Sequence, residues 1–404
     1  MRIAGIVCEY NPLHTGHAKL LERARAAGDT VVCVMSGNLM QRGEAAIADK
    51  YARAEAALMT GADLVLELPF PYAMSGASFF AAGGVATLAS VGVNTLLFGS
   101  ECGELSRLER AADALADAPV ENDRDKGSAA SHFDRLSSLT DGESFSSNDI
   151  LGIEYIRAIR KGGYPMTPTL VKRLGDGYRE TSLGASEYAS ATALRGAMFS
   201  GRENEVGQYL PDAMQEILAR ERERGNAPAS LVNLERAILF FWRTADPASL
   251  SSLAELGGGL AERLVSVAGK AKTLDEFYAL AATKKYTNAH IRRAILYGML
   301  SVRWEDLEAA PAYTNLLAAN DKGRELLASL RRGEQAVPVL TKPSDVEALC
   351  DKYPTRADAI RRAHALAARA DSLYALALPN AEESGRWLSA KPFLRVGVDA
   401  DAVL

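Results

Sequence analysis

The first hundred residues alternate between short aliphatic runs and stretches of helical period, and no other feature of the chain narrows its fold so far. IAGIVC (Ile3 to Cys8), TVVCVMSG, DLVLELPF and NTLLFGS are rich in valine, isoleucine and leucine. Between them HAKLLERARAAG, DKYARAEAALMTGA and ASFFAAGGVATLASVG carry apolar residues three and four apart. Strands covered on both faces and separated by helices pair in parallel through right-handed crossovers, so the pattern predicts an α/β fold with a doubly wound parallel sheet. Ligands bind such sheets beyond the carboxyl ends of the strands. The loops that carry unusual polar residues, EYNPLHTGH, SGNLMQRGE and FGSECG, all follow strands.

Further along, LSRLERAADALADA reads as a helix, residues 119–148 as a polar, apolar-poor insertion, ILGIEYIRAIRKGG as a helix, PTLVKRL as a strand and ASATALRGAMFSG as a helix. His132, inside the insertion, reads as a surface residue. From about Glu203 the patterns are long and amphipathic, as in DAMQEILARERERG, LVNLERAILFFWRTA and NAHIRRAILYGML, and strand-like runs are scarce. The expected division is a sheet domain over residues 1–202 and a mainly α-helical domain over 203–404.

Composition removes several function classes. The four cysteines form no CxxC pair, which argues against a disulfide framework or a zinc cluster. No run approaches the roughly 20 apolar residues of a membrane span, and MRIAGIVCEY enters a strand pattern directly, so a cytoplasmic protein is expected. The formal charge of −5 provides no global basic field, so any contact with nucleic acid has to use local cations.

NPLHTGH is the densest chemical signal. A helix start offers unpaired amides and partial positive charge, and Gly16 lets an anion approach them closely. His14 and His17, on either side, can donate to phosphate oxygens and stabilise charge while an α-phosphate is attacked. Two ordinary loop histidines are the plain alternative. A protein-held metal is disfavoured, because no carboxylate or third histidine stands at ligand spacing. HxGH between a first strand and a first helix resembles the nucleotidylyltransferase superfamily, whose second signature, of the form ISSTxxR, has a counterpart here in ASATALRGAM. Ser190 fits as a helix N-cap, and Thr192 and Arg195 could hold the β- and γ-phosphates.

The blocks EYNPLHTGH, VMSGNLMQRGEAAIADKYARAEAAL, GADLVLELPF, LLFGSECG, SSNDILGIEYIRAI and SATALRGAM, in this order, resemble the bacterial tRNA(Met) cytidine acetate ligase family. Weaker likenesses, such as KYTNAHIRRAILYGML and DSLYAL, continue through the second half. The resemblance implies an enzyme that activates acetate with ATP to acetyl-adenylate and acetylates N4 of the wobble cytidine of elongator tRNA(Met). It assigns to ATP the segment Val7, Cys8, Glu9, Tyr10, Asn11, Pro12, Leu13, His14, Thr15, Gly16, His17, Ala18, Lys19 and Leu20, together with Gly99, Asn148 and Arg173. Leu13, Thr15 and Ser147-Asn148-Asp149 depart from the residues common in the family. His14, His17 and Arg195 are the expected catalytic residues, and Mg2+ is expected only in company with the phosphates. The loop Gln41-Arg42-Gly43-Glu44 and the segment Lys50 to Arg53 stand where acetate should meet the reacting phosphate. For tRNA the candidate cations are Lys284, Lys285, Arg292, Arg293, Arg331 and Arg332. An adenylyltransferase for a small phosphorylated cofactor precursor would use the same motifs but leave the helical half without a task, and a noncatalytic RNA-binding protein would have no need of intact HxGH.

Overall fold

A computed structural model of the chain describes residues 1–117, 136–140, 142–173, 188–330 and 335–395. Its centre is a parallel sheet of β1 (Ile3–Cys8), β2 (Thr30–Ser36), β3 (Leu64–Leu68), β4 (Thr95–Ser100) and β5 (Thr167–Lys172), ordered β5-β4-β1-β2-β3. β2 shows why the strands read as continuous apolar runs. Its Val31, Cys33 and Met35 enter one apolar layer and Val32 and Val34 the opposite one, all fully buried. Helices α1 (Thr15–Ala27) and α2 (Lys50–Thr60) supply the first layer through Leu21, Ala24, Ala54 and Leu58, and α3 (Ala77–Ser90) the second through Phe80, Val85 and Leu88. Strand order reverses between β1 and β4, which opens a crevice beyond their carboxyl ends.

The sheet does not end near residue 202. β6 (Thr314–Asn320) pairs antiparallel with β3, Leu64 opposite Ala319, while β7 (Val339–Leu340) and β8 (Phe393–Arg395) pair parallel with β6. TNLLAAN is a short apolar run among helices, and periodicity alone does not separate such a strand from a piece of buried helix. The second half is mainly helical, but it completes the sheet of the first.

One core also spans both halves. Leu39, Met40, Ala45, Phe70 and Met74 pack in the same cluster as Trp242, Leu264, Phe277 and Tyr297. Two of its tyrosines bond across the seam: the Tyr297 hydroxyl donates to the Met74 carbonyl at 2.5 Å and the Tyr374 hydroxyl to the Ala46 carbonyl at 3.0 Å. His132, Arg331 and Arg332 lie outside the described residues. Among the described residues no helix is long and apolar enough to cross a membrane.

Candidate active site

The chain leaves Val7 and Cys8 at the end of β1 through Glu9 and Tyr10. Tyr10 takes a left-handed backbone, φ 49°, and its ring is fully buried, with the hydroxyl 3.6 Å from the Cys33 sulfur. Leu13 is fully buried as well. Asn11 pins the loop sideways, its Oδ1 accepting the N–H of Ile47 at 2.9 Å, and Glu9 accepts the N–H of Gln41 at 2.7 Å. The first loop is thereby tied to the second, residues 37–48.

His14 caps α1. Its Nδ1 accepts the Gly16 N–H at 3.1 Å and its carbonyl accepts from His17 and Ala18, while His17 Nδ1 takes a longer bond, 3.4 Å, from the His14 N–H. The two rings stack with centroids 3.7 Å apart. An Nδ1 that accepts a bond leaves the ring proton on Nε2, and the His17 ring also bonds the Pro12 backbone. Burial pushes His14 down to about 3, with Arg173 adding to the effect, and burial, then His14 and Arg173, push His17 well below its ordinary value. Both imidazoles are therefore neutral hydrogen-bond donors near pH 7. A β-carbon at Gly16 would stand 3.0 Å from the His14 ring, so this glycine makes room for the capping imidazole. Lys19, a turn further along α1, reaches the Tyr188 hydroxyl, and Leu20 packs partly against the core.

β4 and β5 form the other wall. Gly99 stands beside Arg173, whose Cγ lies 3.2 Å from where a β-carbon would be, and the Arg173 N–H donates to the Ser100 carbonyl at 2.9 Å. Glu101 organises this wall: it accepts from Asn148 Nδ2 at 2.6 Å and from the Ser146 hydroxyl, and pairs with Arg173 Nε at 3.5 Å. Sequence reasoning missed Glu101, although FGSECG places it directly after the strand.

Ser190 is the N-cap of the helix Ala191–Phe199, accepting the Ala193 N–H at 3.1 Å. One turn in, Arg195 donates to the Asn11 carbonyl at 2.8 Å, pairs with Glu44 at 3.0 Å and lies 3.5 Å from the Thr192 hydroxyl. The structure thus brings Arg195 onto the NPLHTGH loop. The other oxygen of Glu44 holds Arg292 at 2.5 Å, and burial lowers the nearby Arg42 guanidinium while Glu9 and Glu44 raise it.

Several expected contacts fall elsewhere. Lys50 is buried between Glu67 (2.9 Å) and Asp371 (2.7 Å), and Arg53 is spent on the carbonyls of Glu9, Ser36, Gly37 and Ala48. Neither is open to acetate. Arg293 is 4% exposed and forks onto Glu255, so it offers nothing to an RNA phosphate. Lys284 and Lys285 are exposed. Among the described residues no group of three His, Cys, Asp or Glu side chains could hold a metal ion.

A crevice at the reversal of a doubly wound sheet, with an HxGH pair on one wall and an SxTxxR helix against its loop, defines an enzyme of the HIGH nucleotidyl transferase class, and the family model of that description matches residues 1–386. The tRNA(Met) cytidine acetate ligase of Thermosipho melanesiensis is 35% identical over 379 residues, 89% of this chain and 88% of its own length. That of Syntrophomonas wolfei is 34% identical, covering 97% and 99%. The crystal structure of Thermotoga maritima TmcAL bound with alpha-thio ATP matches 98% of this chain and 100% of its own with a TM-score of 0.87 at 31% identity, and the apo form gives 0.88 at 30%. The chain belongs to the tRNA(Met) cytidine acetate ligase family.

Proposed function

We propose that this enzyme activates acetate with ATP and transfers the acetyl group to N4 of the wobble cytidine of elongator tRNA(Met). The observation that carries the reading is the pair of neutral, stacked imidazoles at the start of α1, between the walls built by β1 and β4. In the first step an acetate oxygen attacks the α-phosphorus, the bond to the bridging oxygen breaks and pyrophosphate leaves. Acetate is ionised near neutrality and needs no base, so the protein's task is positioning and charge stabilisation. His14 and His17 donate to the α-phosphate, and Arg195 and Arg173 neutralise the departing charge. Gly99 and Asn148 border the nucleotide, and Ser190 and Thr192 set Arg195. In the second step the cytosine amine attacks the acetyl carbon, the bond to AMP breaks, and the amine loses one proton to solvent. The base must leave its stack to reach the anhydride.

A magnesium ion would arrive on the triphosphate, since the described residues offer it no cluster of their own. The division of labour follows the loops: residues 1–202 carry the nucleotide site, and the later helices, led by the exposed Lys284 and Lys285, receive the tRNA. The test is to incubate the full chain with ATP and labelled acetate, with and without bulk tRNA. Label should enter tRNA only when ATP is present, and an acetate-dependent exchange of pyrophosphate into ATP should proceed without tRNA. Exchange of pyrophosphate that needs no acetate, or no exchange at all, overturns the reading.

A further inference from the structure

Glu44 holds two arginines that the two halves of the chain contribute separately. Its Oε2 lies 3.0 Å from Arg195 Nη2, and its Oε1 lies 2.5 Å from Arg292 Nη1 on the helix Asn288–Leu300. Arg195 has little latitude, because its Nη1 is already fixed on the Asn11 carbonyl at 2.8 Å. An anion that approaches Nη2 therefore meets a carboxylate already there, and the two compete for the same donor.

Arg292 is built to receive what Arg195 gives up. Its guanidinium lies over the Tyr278 ring, 5.0 Å from the centroid, and its Nε is buried with no hydrogen-bond partner among the described residues. An orphaned buried donor on a charged group is costly, and Nε together with Nη2, the edge away from the Nη1 that Glu44 now touches, is a fork that grips both oxygens of a carboxylate once Glu44 moves onto it. The backbone beside Glu44 is shaped to the same helix. Gly43 has φ +69°, and a β-carbon there would stand 2.7 Å from the Arg292 backbone and the Arg293 nitrogen, so no other residue lets the loop lie so close.

We propose that Glu44 is a movable counter-ion, shared between Arg195 and Arg292, and that a triphosphate arriving at Arg195 passes it wholly to the Arg292 fork. The proposal rests on the reading of Arg195 as a phosphate-binding residue. Glu44 is then a positioning residue whose exchange lets the helix Asn288–Leu300 register nucleotide in the crevice. Arg292 acts in the same exchange and not as an RNA contact.

The experiment measures equilibrium binding of ATP, and of adenosine as a phosphate-free probe, to the full chain and to Glu44→Gln, Arg292→Ala and the double variant, with an unfolding midpoint for each. Glu44→Gln removes the competitor, so ATP should bind about fivefold tighter, the effect of one partly exposed ion pair, with adenosine unchanged. Arg292→Ala takes from Glu44 the partner that draws it off Arg195 and should weaken ATP about fivefold, whereas added to Glu44→Gln it should change nothing. Glu44→Gln binding ATP as well as or worse than the parent chain, or an equal loss from Arg292→Ala in both backgrounds, overturns the exchange. If Glu44→Gln lowers the midpoint, Arg292→Lys decides: it keeps a charge without the fork and should still weaken ATP binding, and an unchanged affinity counts against the proposal. Arg195→Ala separates the two ideas. If it binds ATP normally, the phosphate reading itself fails; if it binds poorly while Glu44→Gln is silent, only the exchange fails.

Discussion

Two sets of cations stand around the carboxyl ends of the central strands, and they are held in opposite ways. Lys50 is 1% exposed, clasped by Glu67 and Asp371, and Arg53 is wholly buried among backbone carbonyls. Arg173 and Arg195 keep 38% and 14% of their side chains exposed and pair with Glu101 and Glu44, which are themselves partly exposed. Both sets occupy the end of the sheet where ligands bind. Standing there does not make a cation chemical. The partners of Lys50 cannot leave without exposing charge to an apolar interior, so it holds the structure, whereas the partners of Arg195 and Arg173 can be exchanged for an anion.

The sharpest break in this comparison is Lys50→Met. It leaves Glu67 and Asp371 buried without their cation and should cost about 3–5 kcal/mol in a denaturant titration. A loss below about 1 kcal/mol would erase the distinction between the two sets. His17→Ala should show the reverse pattern. Removing a transition-state donor raises the barrier by about 2.7–4 kcal/mol in acetate-dependent turnover of ATP, while the loss of its weak capping bond costs about 1 kcal/mol or less of stability. Equal losses in both assays would make this histidine structural.

pH sharpens the contrast a step further. His14 and His17 are held neutral in the fold but charge near 6.5 when the chain unfolds, so the unfolded state binds more protons below about pH 6.5, for His14 down to about 3. Stability is complete above pH 6.5 and falls as the pH drops, by about 1.4 kcal/mol per unit for each histidine. Unfolding midpoints measured from pH 8 to 4 for the parent chain and for His14→Ala should differ in slope by that amount, and parallel curves would place the charge change elsewhere. The smallest effect concerns the exposed pair. Lys284→Ala with Lys285→Ala should weaken tRNA binding and reduce its dependence on salt by roughly one unit of slope for each phosphate that is no longer neutralised, without changing pyrophosphate exchange. An unchanged slope moves the RNA surface away from these residues.

β1 to β4 could be read from the chain because each is a largely buried aliphatic run followed by a segment of helical period, whereas β5 is only partly buried and reads from PTLVKRL alone. β6 escaped because its partner, β3, lies far back in the chain and because alanine and asparagine give TNLLAAN little strand character of its own. The same division runs through the site. HxGH and SxTxxR are local, and capping rules place Ser190 ahead of its helix, whereas His14 caps α1 although histidine is not among the usual capping residues. Glu44 and Glu101 acquire meaning only from what folding brings to them. Arg292 and Arg293 looked alike as a basic pair, yet successive residues on a helix point about 100° apart. One meets Glu44 and the other turns inward to Glu255. Sequence shows charge, and packing decides whether water, backbone or a substrate answers it.

β6 also has a consequence for how the protein is made. Until it emerges from the ribosome, β3 is an outer strand, paired with β2 on one side and with the amides and carbonyls of its other side unpaired. About 250 residues separate the two, so at roughly 5–20 residues per second the nascent chain carries an open edge for about 12–50 s. Such an edge is a template for pairing with another chain. Synthesis of the second half is therefore a race between the arrival of β6 and capture of β3 by a neighbouring nascent chain, and slowing translation after residue 202 should raise the aggregated fraction while leaving the finished fold unchanged.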